Sequence, residues 1–304
     1  MGILRGDSRA ISRAITIIEN GNDDPNARNI IKKIYNQTGK AKIIGITGPP
    51  GVGKSTIIGN LAAILKKNGR KVAVLAVDAS SPFTNGTFLG NRIRMQDTLF
   101  KNDIFMRSLS TRGSTGGLST SVWDTVRILD AAGFDTIIIE TVGAGQADLD
   151  ILGIAHTILV VLAPGLGDEI QAIKAGIMEI ANIFIINKVD REDSYIAIKD
   201  IEDSLSLLPQ GSWKVPVVGL DSIKVKGYDE LIKMIDLHLN SSESTQNTNE
   251  RILREVMEIL RNDFNLRIKK IVLGSNDKIA EIEGGVDPYT IADKLTKKIL
   301  NSES

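Results

Sequence analysis

The stretch Gly48-Pro49-Pro50-Gly51-Val52-Gly53-Lys54-Ser55-Thr56 has the phosphate-binding spacing G-x-x-x-x-G-K-[ST]. Its backbone N–H groups would point inward at phosphate oxygens, and a helix starting at its end would add partial positive charge. Lys54 would reach the β- and γ-phosphates, and the Ser55 hydroxyl would bind Mg²⁺. Gly48, Pro50, Gly51, Val52, Gly53, Lys54, Ser55 and Thr56 are therefore the candidate cradle. An ordinary glycine-rich turn is the bland alternative, but few such turns carry Lys-Ser at this offset.

A second constellation is Asn187-Lys188-Val189-Asp190, directly after the apolar run 183–186. In GTP-binding proteins this pattern reads guanine. The Asp190 carboxylate would accept from guanine N1–H and the N2 amine together, whereas adenine would leave it unpaired. Sites that hydrogen-bond a group reject analogues lacking it by ~10⁴-fold or more. Lys188 would lie along the base, and Asn187 would tie this loop to the phosphate loop. In GTPases a backbone amide after the next strand reads guanine O6, usually from a Ser-Ala pair. Here the segment is Asp221-Ser222-Ile223, and Ser222 is the candidate.

Acids close the set. Asp78 ends the apolar run 72–77 and Glu140 ends the run 136–139. A carboxylate at such a place binds Mg²⁺ directly or through its waters. In Glu140-Thr141-Val142-Gly143-Ala144-Gly145-Gln146, the Gly143 N–H would bond the γ-phosphate and release it after hydrolysis. Gln146 is the candidate to orient water. Lys54, Asp78 and Gln146 are thus the candidate catalytic residues. Residues 80–95 form a second switch candidate. The segment 108–118 is glycine- and serine-rich beside Arg107 and Arg112, and surface solvation is the expected role of those arginines.

These residues need a frame that brings strand ends together. From Lys42 onward apolar strands alternate with amphipathic helices, at 43–46, 72–77, 104–109, 136–139, 157–162, 183–186 and 215–218. Near-continuous apolar runs mark strands covered on both faces. The fold class expected is α/β, a doubly wound, mostly parallel sheet of the P-loop NTPase kind, with ligands at the strands' carboxyl ends. Helices are expected over 55–67, 119–132, 168–180 and 193–208, the last burying Tyr195, Ile198, Ile201, Leu205 and Leu208. Residues 1–40 read as an N-terminal helical extension, with Ile11, Ala14, Ile15 and Ile18 on one helical face. Residues 41–240 form the nucleotide domain. Residues 241–304 form a polar linker and a helical arm, carrying Leu253, Val256, Leu260 and Phe264 at helical spacing. Such a tail must pack on the main domain or on a second copy of itself.

Composition excludes several classes. The 304 residues carry 37 Lys+Arg and 37 Asp+Glu, a formal net charge of zero, so nothing global favours nucleic acid. Cysteine is absent, which removes disulfides, thiolate zinc sites and thiol nucleophiles. His156 and His238 lie far apart without metal-like neighbours and are expected to be structural, as is Trp123 in the core. No apolar run approaches the ~20 residues of a membrane helix. No signal-peptide core opens the chain, so a soluble cytoplasmic protein is expected.

With these residues in hand, the chain resembles the G-protein chaperones of methylmalonyl-CoA mutase, the MeaB/ArgK family, also labelled arginine/ornithine transport-system kinases. The resemblance rests on Gly6-Asp7 with residues 9–16, Gly45 to Thr56, Ala76-Val77-Asp78 leading to Arg94-Met95, and Thr111-Arg112-Gly113 with Gly116-Gly117-Leu118. It continues through Glu140-Thr141-Val142-Gly143 with Gly145-Gln146, Pro164-Gly165 with Gly167-Asp168-Glu169, and Asp287-Pro288-Tyr289. It implies a GTP- and Mg²⁺-binding GTPase that assists an adenosylcobalamin-dependent mutase. No group is plainly placed as a general base, so slow intrinsic hydrolysis that a partner accelerates is expected. The resemblance also implies a homodimer joined by the C-terminal arm. By the same match Ser55, Asp78 and Glu140 surround magnesium, and Lys174 belongs to a switch coupling nucleotide to partner. Asn91 stands where the family usually has an aspartate near magnesium, and it could coordinate through its amide oxygen. Ala79 and Asp148 replace a usual proline and glutamate. Two other functions are alternatives for such a sequence: an ATP-using kinase of an arginine/ornithine transport system, and a nickel-delivery GTPase. The guanine pattern argues against the first and the lack of Cys/His clusters against the second.

Overall fold

The computed structural model describes residues 1–20, 25–78, 89–110, 120–141, 153–165, 178–207, 211–241, 248–273 and 286–301. Strands form where the sequence is short, apolar and largely β-branched. They are β1 (Lys42–Thr47), β2 (Val72–Asp78), β3 (Phe105–Ser110), β4 (Thr136–Thr141), β5 (Thr157–Leu162), β6 (Ile183–Asn187) and β7 (Val217–Leu220). All pair in parallel, in the order β3-β2-β4-β1-β5-β6-β7. The helices are α1 (Ser8–Asn20), α2 (Pro25–Ile34), α3 (Lys54–Lys67), α4 (Leu89–Lys101), α5 (Thr120–Ala131), α6 (Ser194–Ser206), α7 (Tyr228–Leu239), α8 (Thr248–Leu273) and α9 (Pro288–Asn301).

The expected doubly wound sheet is therefore present. Its central strand is β1. α3 carries the chain from β1 across to β2 on one side, while β5, β6 and β7 extend the sheet on the other. The loop after β1 thus sits where the strand order reverses, the position at which such sheets bind ligands.

Both faces are covered, which explains the unbroken apolar strands. On one face Ile57, Ile58, Leu61 and Leu65 of α3, Met95 and Leu99 of α4, and Leu231 and Ile235 of α7 pack on Ile44, Ile46, Val74 and Ile138. On the other, Ile11, Ile15 and Ile18 of α1 join Val122, Val126 and Leu129 of α5 over Leu75, Ile137 and Ile139. Further along that face, Ala197 and Ile201 of α6 meet Val160, Leu162, Phe184 and Ile186. The N-terminal helices are thus part of the sheet's second layer. Asp7 caps α1 by accepting from the Ala10 N–H at 2.7 Å.

The entry into β1 is fastened from α5. The buried Asp130 carboxylate accepts from the N–H groups of Gly39 at 2.5 Å, Lys40 at 3.2 Å and Ala41 at 3.0 Å. Beyond the far end of α3, a single Arg70 nitrogen, Nη2, donates to both carboxylate oxygens of Asp236 on α7, at 2.8 and 2.7 Å.

Three local expectations change. Tyr195 is 72% exposed, because α6 buries Ala197 and Ile201, and Tyr195 points past the edge of that face. Trp123 is only partly buried against the core. β7 starts at Val217, since Pro216 has no N–H for the ladder. The expected helix 168–180 falls mostly outside the described residues, and 178–180 form a turn.

Met1–Arg251 form one compact unit and Ile252–Ser304 a second. In the second, α8 leaves Leu253, Val256, Met257, Leu260, Phe264 and Ile268 exposed. Among the described residues no helix is long and apolar enough to cross a membrane.

Candidate nucleotide site

The phosphate loop joins β1 to α3 and is shaped by glycine. Gly48, Gly51 and Gly53 have φ of 141°, 79° and 100°, values that L side chains rarely adopt. Space is as restrictive as conformation at two of them. A Cβ on Gly48 would overlap the Val161 carbonyl oxygen, and one on Gly53 would overlap the Asn187 amide nitrogen. α3 then opens at Lys54, its first-turn N–H groups facing the loop. The Lys54 ammonium is buried and donates to the carbonyls of Gly48 at 2.6 Å and Pro49 at 2.9 Å. Val52 is buried, while Pro50, Gly51 and Thr56 are exposed.

In the first turn of α3, the Ser55 hydroxyl donates to Glu140 Oε1 at 2.9 Å. The register explains this meeting. Glu140 pairs with Ile46 of β1 on one side and Ala76 of β2 on the other, so its side chain rises on the α3 face with Ile138. A hydroxyl and a carboxylate oxygen at hydrogen-bonding distance are the hard oxygen donors that Mg²⁺ takes. Asp78 closes the neighbouring strand β2. The side chains of Asp78 and Asn91 lie outside the described residues, as do Ala79, Gly143, Gln146, Asp148 and Lys174.

The loops after β6 and β7 converge on the same strand ends. Asn187 is the last residue of β6, and its Nδ2 donates to the Val52 carbonyl at 2.7 Å. Its Oδ1 accepts the Ser222 N–H at 3.2 Å, so one buried amide joins three loops. Lys188 adopts φ of 63°, uncommon for a side-chain-bearing residue, and donates to the Gly51 carbonyl at 3.0 Å. Asp190, in the turn that follows, is exposed. After β7, Asp221 Oδ1 accepts from the N–H groups of Ile223 at 3.1 Å and Lys224 at 2.9 Å. The Lys224 backbone N–H, aided by the Lys224 ammonium and the Ile223 N–H, holds the Asp221 carboxyl below the usual range despite the opposing effect of burial.

One residue of this site has no place in the motif reading. Asn60 of α3 donates from Nδ2 to the Ser222 carbonyl at 2.8 Å and to the Tyr228 hydroxyl at 3.1 Å. Its signal in the sequence was a carboxamide inside an otherwise apolar helical run, Ile57-Ile58-Gly59-Asn60-Leu61. The histidines stand elsewhere. His156 Nδ1 accepts the Ile43 N–H at 2.9 Å, and burial, then Arg251 and Lys42, lower its pKa to about 3. His238 Nδ1 meets Thr157 Oγ1 at 2.9 Å, with Trp213 edge-on to its ring.

A model of the family described as methylmalonyl Co-A mutase-associated GTPase MeaB matches residues 11–272. The chain belongs to the MeaB family of GTPases. A Pyrococcus horikoshii relative, a GTPase by name, is 42% identical over 307 residues, covering 98% of this chain and 96% of that one. GTPase ArgK of Escherichia coli is 32% identical over 236 residues, covering 75% and 71%. Among solved structures, one titled LAO/AO transport system kinase superposes with a TM-score of 0.69 at 22% identity, over 98% of this chain and 95% of the other. HypB from Helicobacter pylori in complex with nickel gives 0.50 at 19%, over 73% and 99%. At those identities the likeness is one of fold. The MeaB-family chain is thus a P-loop GTP hydrolase that binds guanine nucleotides.

Proposed function

We propose that this GTPase is a nucleotide-switched chaperone of an adenosylcobalamin-dependent acyl-CoA mutase, governing cofactor loading or protection of that enzyme. The observation that carries the reading is the match, over residues 11–272, to a family named for its association with methylmalonyl-CoA mutase. A Caenorhabditis elegans relative named methylmalonic aciduria type A homolog, 36% identical over 201 residues, supports it. That match covers 62% of this chain and 50% of the relative.

In this reading the 48–56 loop and Lys54 hold the phosphates, Asp190 reads the guanine edge, Lys188 lies along the base, and Ser222 completes the pocket. Ser55 and Glu140, with Asp78 and Asn91, would hold Mg²⁺, which offsets phosphate charge when bound. Gly143 senses the γ-phosphate, Gln146 orients water, and Lys174 couples the nucleotide to the partner. The α8 stripe of Leu253, Val256, Leu260 and Phe264 joins two copies into a homodimer. The protein works in the cytoplasm without nucleic acid or membrane partners. The likeness to a transport-system kinase is one of fold and favours no kinase activity.

The test is reconstitution with the cobalamin mutase of the same cell. The expected result is a complex whose stability depends on the bound nucleotide, with GTP turnover accelerated by the mutase. Equal turnover with and without mutase, and no complex with either GDP or a GTP analogue, would overturn the proposal. Double substitution Leu253→Glu and Leu260→Glu should yield monomers on analytical ultracentrifugation.

A further inference from the structure

We infer that Asn60, on the phosphate-loop helix, is a positioning residue for guanine recognition: it holds the Ser222 loop in place and so links phosphate binding to base choice. The inference rests on the proposed base-side roles of Asn187, Asp190 and Ser222.

Ser222 is 6% exposed, so both of its backbone groups need partners inside the protein. Its N–H goes to Asn187 Oδ1 and its carbonyl takes Asn60 Nδ2 at 2.8 Å. Among the described residues, its other hydrogen bonds are made within the loop itself. The Asp221 and Lys226 backbones exchange hydrogen bonds at 3.3 and 3.0 Å, and Asp221 Oδ1 holds the next two N–H groups. Within it Val225 sits at φ of 54°, a costly conformation for a β-branched residue. A loop that carries such strain keeps its shape only while its anchors hold. Asn187 anchors it to the base-side strand, and Asn60 anchors it to α3.

The chemistry of Asn60 suits that anchor alone. Its amide nitrogen has two hydrogens, and both are used, on the Ser222 carbonyl and on the Tyr228 hydroxyl at 3.1 Å. Turning the amide over would set its oxygen against the Ser222 carbonyl oxygen, so the donor orientation is fixed. Tyr228 is itself buried at the first turn of α7, and burial raises its pKa to about 12, so it stays a neutral phenol. The circuit Val52–Asn187–Ser222–Asn60 therefore starts in the phosphate loop and returns to the helix that leaves that loop.

The experiment compares wild type, Asn60→Asp and Tyr228→Phe, using equilibrium titrations of GDP, ADP and inorganic pyrophosphate, with thermal melting as the folding control. A carboxylate at position 60 keeps the shape and loses the donor. GDP should bind Asn60→Asp about tenfold more weakly, while ADP and pyrophosphate bind as to wild type, so guanine preference falls. Tyr228→Phe should move GDP the same way by a smaller factor, and it keeps the test open if Asn60→Asp does not fold. Unchanged GDP affinity in both folded variants would overturn the inference. So would equal losses for GDP and pyrophosphate, which indicate a damaged α3. Wild-type protein holding ADP as tightly as GDP would instead overturn the base-side assignment on which the role of Asn60 rests.

Discussion

The Ser55 hydroxyl lies 2.9 Å from Glu140 Oε1, two side chains separated by 85 positions and brought together by the pairing of β4 against β1. The pair predicts that Ser55→Ala and Glu140→Gln act on the metal rather than on the base. Magnesium titrations of a fluorescent GTP complex should shift to at least about tenfold higher concentration in both variants. GDP affinity in EDTA should stay near that of wild type.

Gly53 and Asn187 leave no room for each other to change. With φ of 100° and its missing Cβ directed at the Asn187 amide, Gly53→Ala should weaken GDP binding by about 100-fold or more. Asn187→Ala removes the donor to Val52 and the acceptor for Ser222 but leaves the loop its conformation, so a smaller loss of about tenfold is expected. Isothermal calorimetry distinguishes the two. Equal losses would show that the contact, and not the backbone geometry, dominates.

Asp130 is remote from the nucleotide and tests stability alone. Asp130→Ala leaves three backbone N–H groups at the entry to β1 without their acceptor. The expected cost is about 3 kcal/mol, a fall in Tm of roughly 5 °C. Affinity for GDP in the folded protein should not change.

His156 predicts a pH dependence. Its pKa is lowered to about 3 in the fold, against an ordinary value of 6.5. Above 6.5 it is neutral both folded and unfolded and contributes no slope. As pH falls from 6.5 towards 3 the unfolded chain takes up the proton first, so stability drops, by at most about 1.4 kcal/mol per pH unit. His156→Asn keeps an acceptor near the Ile43 N–H and removes the titration. Its melting temperature should fall less steeply than that of wild type between pH 6.5 and 5, a range above most carboxylate pKa values.

The phosphate loop, its strand and its helix were legible because their chemistry is local: glycine conformation, a lysine offset and a 3.6-residue apolar repeat all lie within a short span. The reach of Asn187 to the phosphate loop could be read from the motif. The placing of β4 between β1 and β2 could not, since strand order is decided by pairing across long separations. Asn60 and Asp130 carry no signal of their partners in the sequence for the same reason. Each is a polar residue on a helix whose partners come from distant segments, and nothing adjacent in sequence announces them. Tyr195 is exposed although the apolar repeat of its helix includes it, because such spacing marks a helix more reliably than it fixes the rim of the buried face.

The N-terminal helices bear on any attempt to isolate a minimal catalytic fragment. Ile11, Ile15 and Ile18 are no more than 1% exposed, and they lie in the same core as Leu75, Ile137 and Ile139. Cutting the chain at residue 41 would bare an aliphatic slab and take away the stretch that Asp130 grips. The shortened product should collect in inclusion bodies instead of serving as a leaner enzyme.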